Sequence, residues 1–158
     1  MLRIGLGHDT HRLVDGSFIL LGGVKIDHTK SLLGHSDADV LLHAITDALL
    51  GAAGLGDIGD LFPDTDPVNR NRDSAEMLQT AWNQVRQQHW QIVNLDAVLF
   101  AEKPKIAPYK EAMRQRIAEL LEIEPTQIGI KAKTGEKIGM IGREEAISAE
   151  CVVLLARS

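Results

Sequence analysis

The stretch Gly7-His8-Asp9-Thr10-His11 constrains this chain more than any other. It follows an apolar run, Leu2–Leu6, and its Asp9 and His11 stand two residues apart. On an extended strand that spacing turns both side chains to one face. Histidine is concentrated here: five of the six (His8, His11, His28, His35, His43) fall within the first 43 residues, each beside or near an aspartate. A metal centre begun by Asp9 and His11 needs a third donor from a separate element, and a helix carrying His43 can bring it. Two imidazoles and one carboxylate suit zinc, and a free fourth position suits catalysis rather than a structural role.

That helix is expected over about Asp39–Leu50, with Leu41, Ala44, Ile45, Ala48 and Leu49 on its buried side. Ser36 followed by Asp39 gives a capping pattern at its start. His43 shares a face with Asp39 and Asp47, so an aspartate one turn away is the expected holder of its second N–H. A lone helical histidine is more often a satisfied, partly buried side chain. The Asp9–His11 pair and the His35-Ser36-Asp37 cluster favour the ligand reading. His28, in a polar turn, and His89, at a helix end where the dipole favours a cation, carry no such signal.

The remaining elements follow from punctuation and period. Leu2–Gly7 reads as a short buried strand delivering His8–His11 at its C-terminal end. Phe18–Leu21 and Val24–Ile26 flank Gly22-Gly23, a hairpin signal. Residues 51–67 are loop, rich in Gly, Asp and Pro, with one helical turn expected at Ile58–Phe62. Asp73-Ser74 opens a helix to about Gln88 that buries Met77, Leu78, Ala81 and Val85. Trp90–Phe100 reads as a strand. Pro104 and Pro108 bracket the start of a helix ending near Leu121, and strands are expected at Ile128–Ala132 and Ala146–Ala156. The order β-(hairpin)-α-α-β-α-β-β predicts an α/β fold, an α+β sandwich with a mostly four-stranded mixed sheet and helices packed on one face. With 158 residues, no linker and no repeat, one domain over 1–158 is expected.

Charge and composition exclude several classes. A formal net charge of −5 argues against nucleic acid or a membrane surface as partner. No apolar run approaches the roughly 20 residues of a spanning helix, and the N-terminus lacks a signal-peptide pattern. A cytoplasmic protein is expected. Cys151, the single cysteine, sits in an apolar strand and reads as a buried thiol.

Two further segments bear on chemistry. Asp57, Asp60, Asp64 and Asp66 crowd the loop Gly56–Asp66; a calcium loop does not fit their spacing, which leaves a solvated acidic loop or a lip that binds substrate hydroxyls. Lys103-Pro104-Lys105 follows one strand, and Lys131-Ala132-Lys133-Thr134-Gly135-Glu136-Lys137 runs out of another. Lysines and free backbone N–H groups at strand ends can cradle phosphate, with a solvated charge run as the plain alternative. Glu136 among them could hold a second divalent ion that bridges phosphates. Dinucleotide and Walker motifs are absent.

Taken together, Gly7-x-Asp9-x-His11, His35-Ser36-Asp37-x-Asp39, His43-Ala-x-Thr46-Asp47-Ala48-Leu49-Leu50-Gly51, Gly56-Asp57-Ile58-Gly59 and Phe62-Pro63-Asp64-Thr65-Asp66 resemble the 2-C-methyl-D-erythritol 2,4-cyclodiphosphate synthase family of the non-mevalonate isoprenoid pathway. The likeness runs in order from Arg3 to the final strand. It implies a phosphorus–oxygen lyase that cyclises 4-diphosphocytidyl-2-C-methyl-D-erythritol 2-phosphate and releases CMP. It implies zinc, or another divalent metal, on Asp9, His11 and His43, and Mg²⁺ or Mn²⁺ on Glu136. His35 and Thr134 would stabilise the transition state. Ser36, Asp57, Ile58, Gly59, Phe62, Asp64 and Asp66 would meet the phosphomethylerythritol part. Ala101, Pro104, Lys105, Ile106 and Ala107 match the cytidine pocket, and Ala132, Lys133, Gly135 and Glu136 the phosphate segment. Met140 and Arg143 fall where the family lines the central cavity of a homotrimer whose active sites lie between subunits. A metal-dependent phosphohydrolase and a non-enzymatic trimeric phospholigand-binding module are the competing readings. Departures from the family pattern are His8 in place of Phe or Tyr, Ala38 in place of Gly, Lys133 and Gly135 in place of threonines, and Gly139-Met140-Ile141-Gly142-Arg143 in place of Gly-Phe-Thr-Gly-Arg. His8 is expected to point away from Asp9.

Overall fold

The first strand, β1 (Leu2–Asp15), shows how this sequence builds a sheet that a helix can approach closely. In the computed structural model, which describes residues 1–157, the alternation of β1 turns Gly5 and Gly7 toward the helical layer and Leu2, Ile4 and Leu6 to the other face. A Cβ on Gly7 would lie 1.8 Å from the Ala44 carbonyl oxygen, and one on Gly5 would lie 1.9 Å from that of Ala48. Helix α1 (Val40–Ala53) therefore rests on bare strand backbone. The expectation of a short buried strand is corrected in two ways. Its large apolar residues are exposed, Ile4 at 75%, because the helix side has room only for glycine. The strand also runs on to Asp15, since its second half pairs with a segment the sequence did not reveal, so His8–His11 sit in mid-strand.

That segment is β4 (Lys30–Leu33), four residues with no period of their own. It follows a separate two-stranded hairpin, β2 (Phe18–Leu21) with β3 (Val24–Asp27), turned as expected at Gly22 and Gly23, whose φ angles are 58° and 72°. The rest comprises α2 (Ile58–Leu61), α3 (Ser74–Gln87), β5 (Gln91–Phe100), α4 (Lys110–Leu121), β6 (Ile128–Lys133), the four-residue α5 (Gly139–Gly142) and β7 (Ala146–Ala156). The main sheet has five strands rather than four, in the order β4-β1-β7-β5-β6, with β5 and β6 parallel and the other pairs antiparallel. The helical layer covers one face, and a single apolar core lies between.

Asp39, rather than Ser36, caps α1, and it does more than that. One carboxylate oxygen accepts the N–H groups of Gly22 (2.9 Å) and Leu42 (3.1 Å), and the other accepts that of Gly23 (2.7 Å), tying the hairpin turn to the helix start. Burial pushes its carboxyl up against the pull of these three donors. Helix α1 outruns the expected Leu50 by one turn and stops at Gly54, left-handed at φ 73°. Cys151 is buried, and burial pushes its thiol up to about 12. Among the described residues no helix is long and apolar enough to cross a membrane.

Candidate active site

Strand β1 and helix α1 bring three donors to one point. Asp9 and His11 project from β1 toward the helical layer, and His43 projects back from α1. The Asp9 Oδ2 atom lies 3.0 Å from His11 Nε2 and 3.1 Å from His43 Nδ1. The imidazole centroids are 5.6 Å apart, and all three donor atoms fall within 4.8 Å of one another. Burial works against charge on Asp9, yet hydrogen bonds and charge from His11 and His43 carry its carboxyl well below the usual carboxylate range. Burial likewise opposes charge on His11, but Asp9 wins and raises the imidazole above its ordinary value.

The nitrogens facing away are already engaged. His11 Nδ1 lies 2.8 Å from the Leu33 carbonyl, which accepts only, so Nδ1 keeps its proton, and in the neutral imidazole Nε2 is the nitrogen that presents a lone pair. His43 Nε2 lies 2.7 Å from Ser74 Oγ and 3.2 Å from Ser36 Oγ. Neither Asp39 nor Asp47 holds it, contrary to expectation. Asp39 is spent on the hairpin, and Asp47 accepts the Ile58 N–H at 2.8 Å, so both face other elements although they share the helix face. A proton on either ring nitrogen can hold Asp9 in the metal-free site; with those protons displaced, two lone pairs and a carboxylate converge at about 3 Å, a donor set for a cation. Tetrahedral ligands about 2.0–2.1 Å from zinc would stand about 3.3 Å apart, close to the spacing here. The site fits a divalent ion of zinc type.

The three donors form one wall of a cleft of about 290 Å³. Of the residues expected from sequence, His35, Ser36, Ile58, Gly59, Phe62 and Asp64 line the same cleft, joined by Asn69 and Met77, which sequence reasoning missed. Asp57 caps α2 by accepting the Asp60 N–H, and Asp66 accepts the Val68 N–H at the start of the 67–69 turn. These two carboxylates shape the loop, with neither lining the cleft.

The expected nucleotide and phosphate residues gather elsewhere. Ala101, Pro104, Lys105, Ile106 and Ala107 follow the end of β5, while Ala132 and Lys133 close the parallel β6 and Thr134, Gly135 and Glu136 follow it. The Ala101 N–H bonds to the Lys133 carbonyl at 2.9 Å, and the Gly135 N–H bonds to Glu102 Oε2 at 2.9 Å, so the two segments lie side by side. Gly135 is glycine for lack of room: a Cβ there would lie 2.5 Å from the Gly142 nitrogen. None of these residues lines the metal cleft. Met140 and Arg143 border a separate concavity with Thr10, Arg12 and Lys30, where the Arg143 guanidinium pairs with Glu145 at 2.9 Å. His8 points away from Asp9 as expected, to Thr10 Oγ1 (3.1 Å) and Glu150 (3.5 Å).

A family model described as the YgbB family matches residues 2–156. A Listeria innocua protein named 2-C-methyl-D-erythritol 2,4-cyclodiphosphate synthase is 55% identical over 157 residues, which is 99% of this chain and 100% of that one. Among solved structures, the bifunctional IspDF of Campylobacter jejuni superposes with a TM-score of 0.96 at 42% identity, covering 100% of this chain and 43% of that longer one. A Plasmodium falciparum IspF, solved as a CDP complex, gives a TM-score of 0.88 at 36% identity, with 99% and 97% covered. Matched along almost its whole length by the family model and by a relative 55% identical, the chain belongs to the YgbB family of 2-C-methyl-D-erythritol 2,4-cyclodiphosphate synthases.

Proposed function

We propose that this protein, read as one synthase domain acting in the cytoplasm, converts 4-diphosphocytidyl-2-C-methyl-D-erythritol 2-phosphate into 2-C-methyl-D-erythritol 2,4-cyclodiphosphate and CMP. The observation that carries the reading is the convergence of Asp9, His11 and His43 in a cleft also lined by His35, Ser36 and the Ile58–Asp64 loop. An oxygen of the substrate's 2-phosphate bonds to the β-phosphorus, while the bond from that phosphorus to the bridging oxygen breaks and CMP leaves with that oxygen. The attacking phosphate is ionised at neutral pH, so no strong base is required. The barrier lies in aligning anionic groups and offsetting their charge.

Asp9, His11 and His43 would hold zinc or a similar divalent ion, and Glu136 would hold Mg²⁺ or Mn²⁺ at the diphosphate. Such ions supply Lewis-acid stabilisation of charge on phosphoryl oxygens. His35 and Thr134 donate hydrogen bonds to those oxygens. Residues Ile58–Asp66 orient the methylerythritol part, with the Asp57 and Asp66 carboxylates fixing the loop. Ala101, Pro104, Lys105, Ile106 and Ala107 enclose the cytidine, and the 132–136 segment cradles the phosphates.

A homotrimer belongs to this reading. Asp9, Ala149, Leu99 and Ala132 occupy one rung across β1, β7, β5 and β6, so at about 4.8 Å per strand Ala132 stands about 14 Å from Asp9. A neighbouring copy can offer its nucleotide half to this chain's metal cleft, and the exposed apolar face of β1 offers a surface for the contact. The test is an assay of the protein with the cytidylyl substrate, zinc and Mg²⁺ in H₂¹⁸O. CMP and unlabelled cyclic diphosphate are expected. Labelled linear products would mean a phosphohydrolase, and binding without turnover a binding module. His43→Ala should abolish turnover and leave the fold intact, because the aliphatic core does not depend on the metal.

A further inference from the structure

His43 can serve a cation through Nδ1 only while its proton sits on Nε2, and a buried relay outside the donor set fixes that choice. Ser74 is fully buried at the first position of α3. Its hydroxyl donates to Asp37 Oδ1, while its backbone N–H donates to Asp37 Oδ2 at 3.0 Å. Asp37 Oδ1 also lies 3.3 Å from the Asp39 N–H that it accepts. A carboxylate accepts only, so the single Ser74 hydroxyl proton points to Asp37. The Ser74 lone pair then faces His43 Nε2 at 2.7 Å and can be satisfied only by an Nε2-bound proton. Resting on the metal reading given above, we infer that Asp37 and Ser74 are positioning residues that set the His43 tautomer and so turn its Nδ1 lone pair toward Asp9 and the cation.

The arrangement answers that of His11, where the Leu33 carbonyl performs the same task directly. It also tethers the His35-Ser36 loop to α3, because both Asp37 oxygens are engaged. Substitution of Asp37 has a sharply defined outcome. In Asp37→Asn either orientation of the amide sets its NH₂ against one backbone N–H, and the shorter Ser74 N–H contact (3.0 Å, against 3.3 Å for the Asp39 N–H) favours the amide oxygen at the Oδ2 position, with the NH₂ at Oδ1 facing Ser74 Oγ. The NH₂ then donates to Ser74, the hydroxyl proton rotates to His43 Nε2, and the imidazole proton moves to Nδ1, pointing at Asp9. The side chain keeps its size, and the lone pair the cation needs is gone. Ser74→Ala removes the acceptor and leaves only Ser36 Oγ, the longer contact at 3.2 Å.

Zinc binding is measured by competition against a chromogenic chelator, on wild type, Ser74→Ala and Asp37→Asn, beside thermal melts of the metal-free proteins. Loss of outer hydrogen-bond partners typically weakens metal affinity 10–100-fold, and a loss of that size is expected in both variants. A merely structural role predicts lower metal-free melting temperatures with unchanged zinc affinity, and that result overturns the inference. Nitrogen-15 NMR of zinc-loaded wild type gives a check that needs no variant: His43 should show a protonated Nε2 and a metal-bound Nδ1. The reverse assignment also overturns it. Failure of wild type to bind zinc at all would instead overturn the metal reading on which the inference rests.

Discussion

At the scale of single residues, the Asp9–His11 pair turns a sequence spacing into a pH signature. Asp9 is held below its ordinary 3.8, so its contribution to stability is complete above that pH and is lost as pH falls through the lowered value. His11 is raised above its ordinary 6.5, so its contribution is complete below that pH and is lost as pH rises through the raised value. Metal-free protein should therefore draw most stability from this pair between 3.8 and 6.5. Urea melts across pH should show both declining arms in wild type and their loss in Asp9→Asn. The i, i+2 spacing made the pair legible, since a strand has only two faces. Ser74 and Asp37 were not legible as partners of His43, because 31 residues separate Ser74 from it and only the docking of α3 closes the gap.

At the scale of elements, the contact between β1 and α1 sets how precisely the site is built. Gly5 and Gly7 let helix backbone approach strand backbone, and that approach brings His43 Nδ1 to 3.1 Å from Asp9. Gly7→Ala forces the helix outward and should cost about 3 kcal/mol of stability, read from the urea midpoint at unchanged m. It should weaken zinc binding as well, since His43 moves with the helix. The three long helices were legible from period and caps, and only α1 ran a turn past its expected end, to the glycine at 54 that stopped it. Strand β4 was not legible. Four residues carry too little alternation, and its place at the sheet edge beside Arg12–Asp15 is a matter of long-range pairing.

For the whole molecule, the outer face of the sheet is the feature a lone subunit leaves unexplained. Leu2, Ile4, Leu6 and Val152 project from neighbouring strands β1 and β7 and are 67%, 75%, 68% and 47% exposed. Contiguous apolar area of this kind marks an interaction surface. If the homotrimer proposed above covers it, Ile4→Glu should convert the assembly to monomers in sedimentation velocity and abolish turnover. Zinc affinity should survive, because Asp9, His11 and His43 come from one chain. Loss of zinc binding together with the assembly would argue against a metal site complete within one subunit.

The sequence by itself determined the chemistry of the donors, the helix that carries the third one, and the family. Those properties live in residue types and in spacings of two or of a few residues, which backbone geometry turns directly into shared faces. Only the tertiary structure decided which atoms do what. It placed glycines rather than leucines under α1, gave Asp39 to the hairpin and Asp47 to the Ile58 N–H, and handed the far nitrogen of His43 to Ser74. It also kept the segments after β5 and β6 out of the metal cleft. The reason is the same in each case: hydrogen-bond acceptors are claimed by whichever donor packing brings nearest, and that depends on elements tens of residues away rather than on the local pattern.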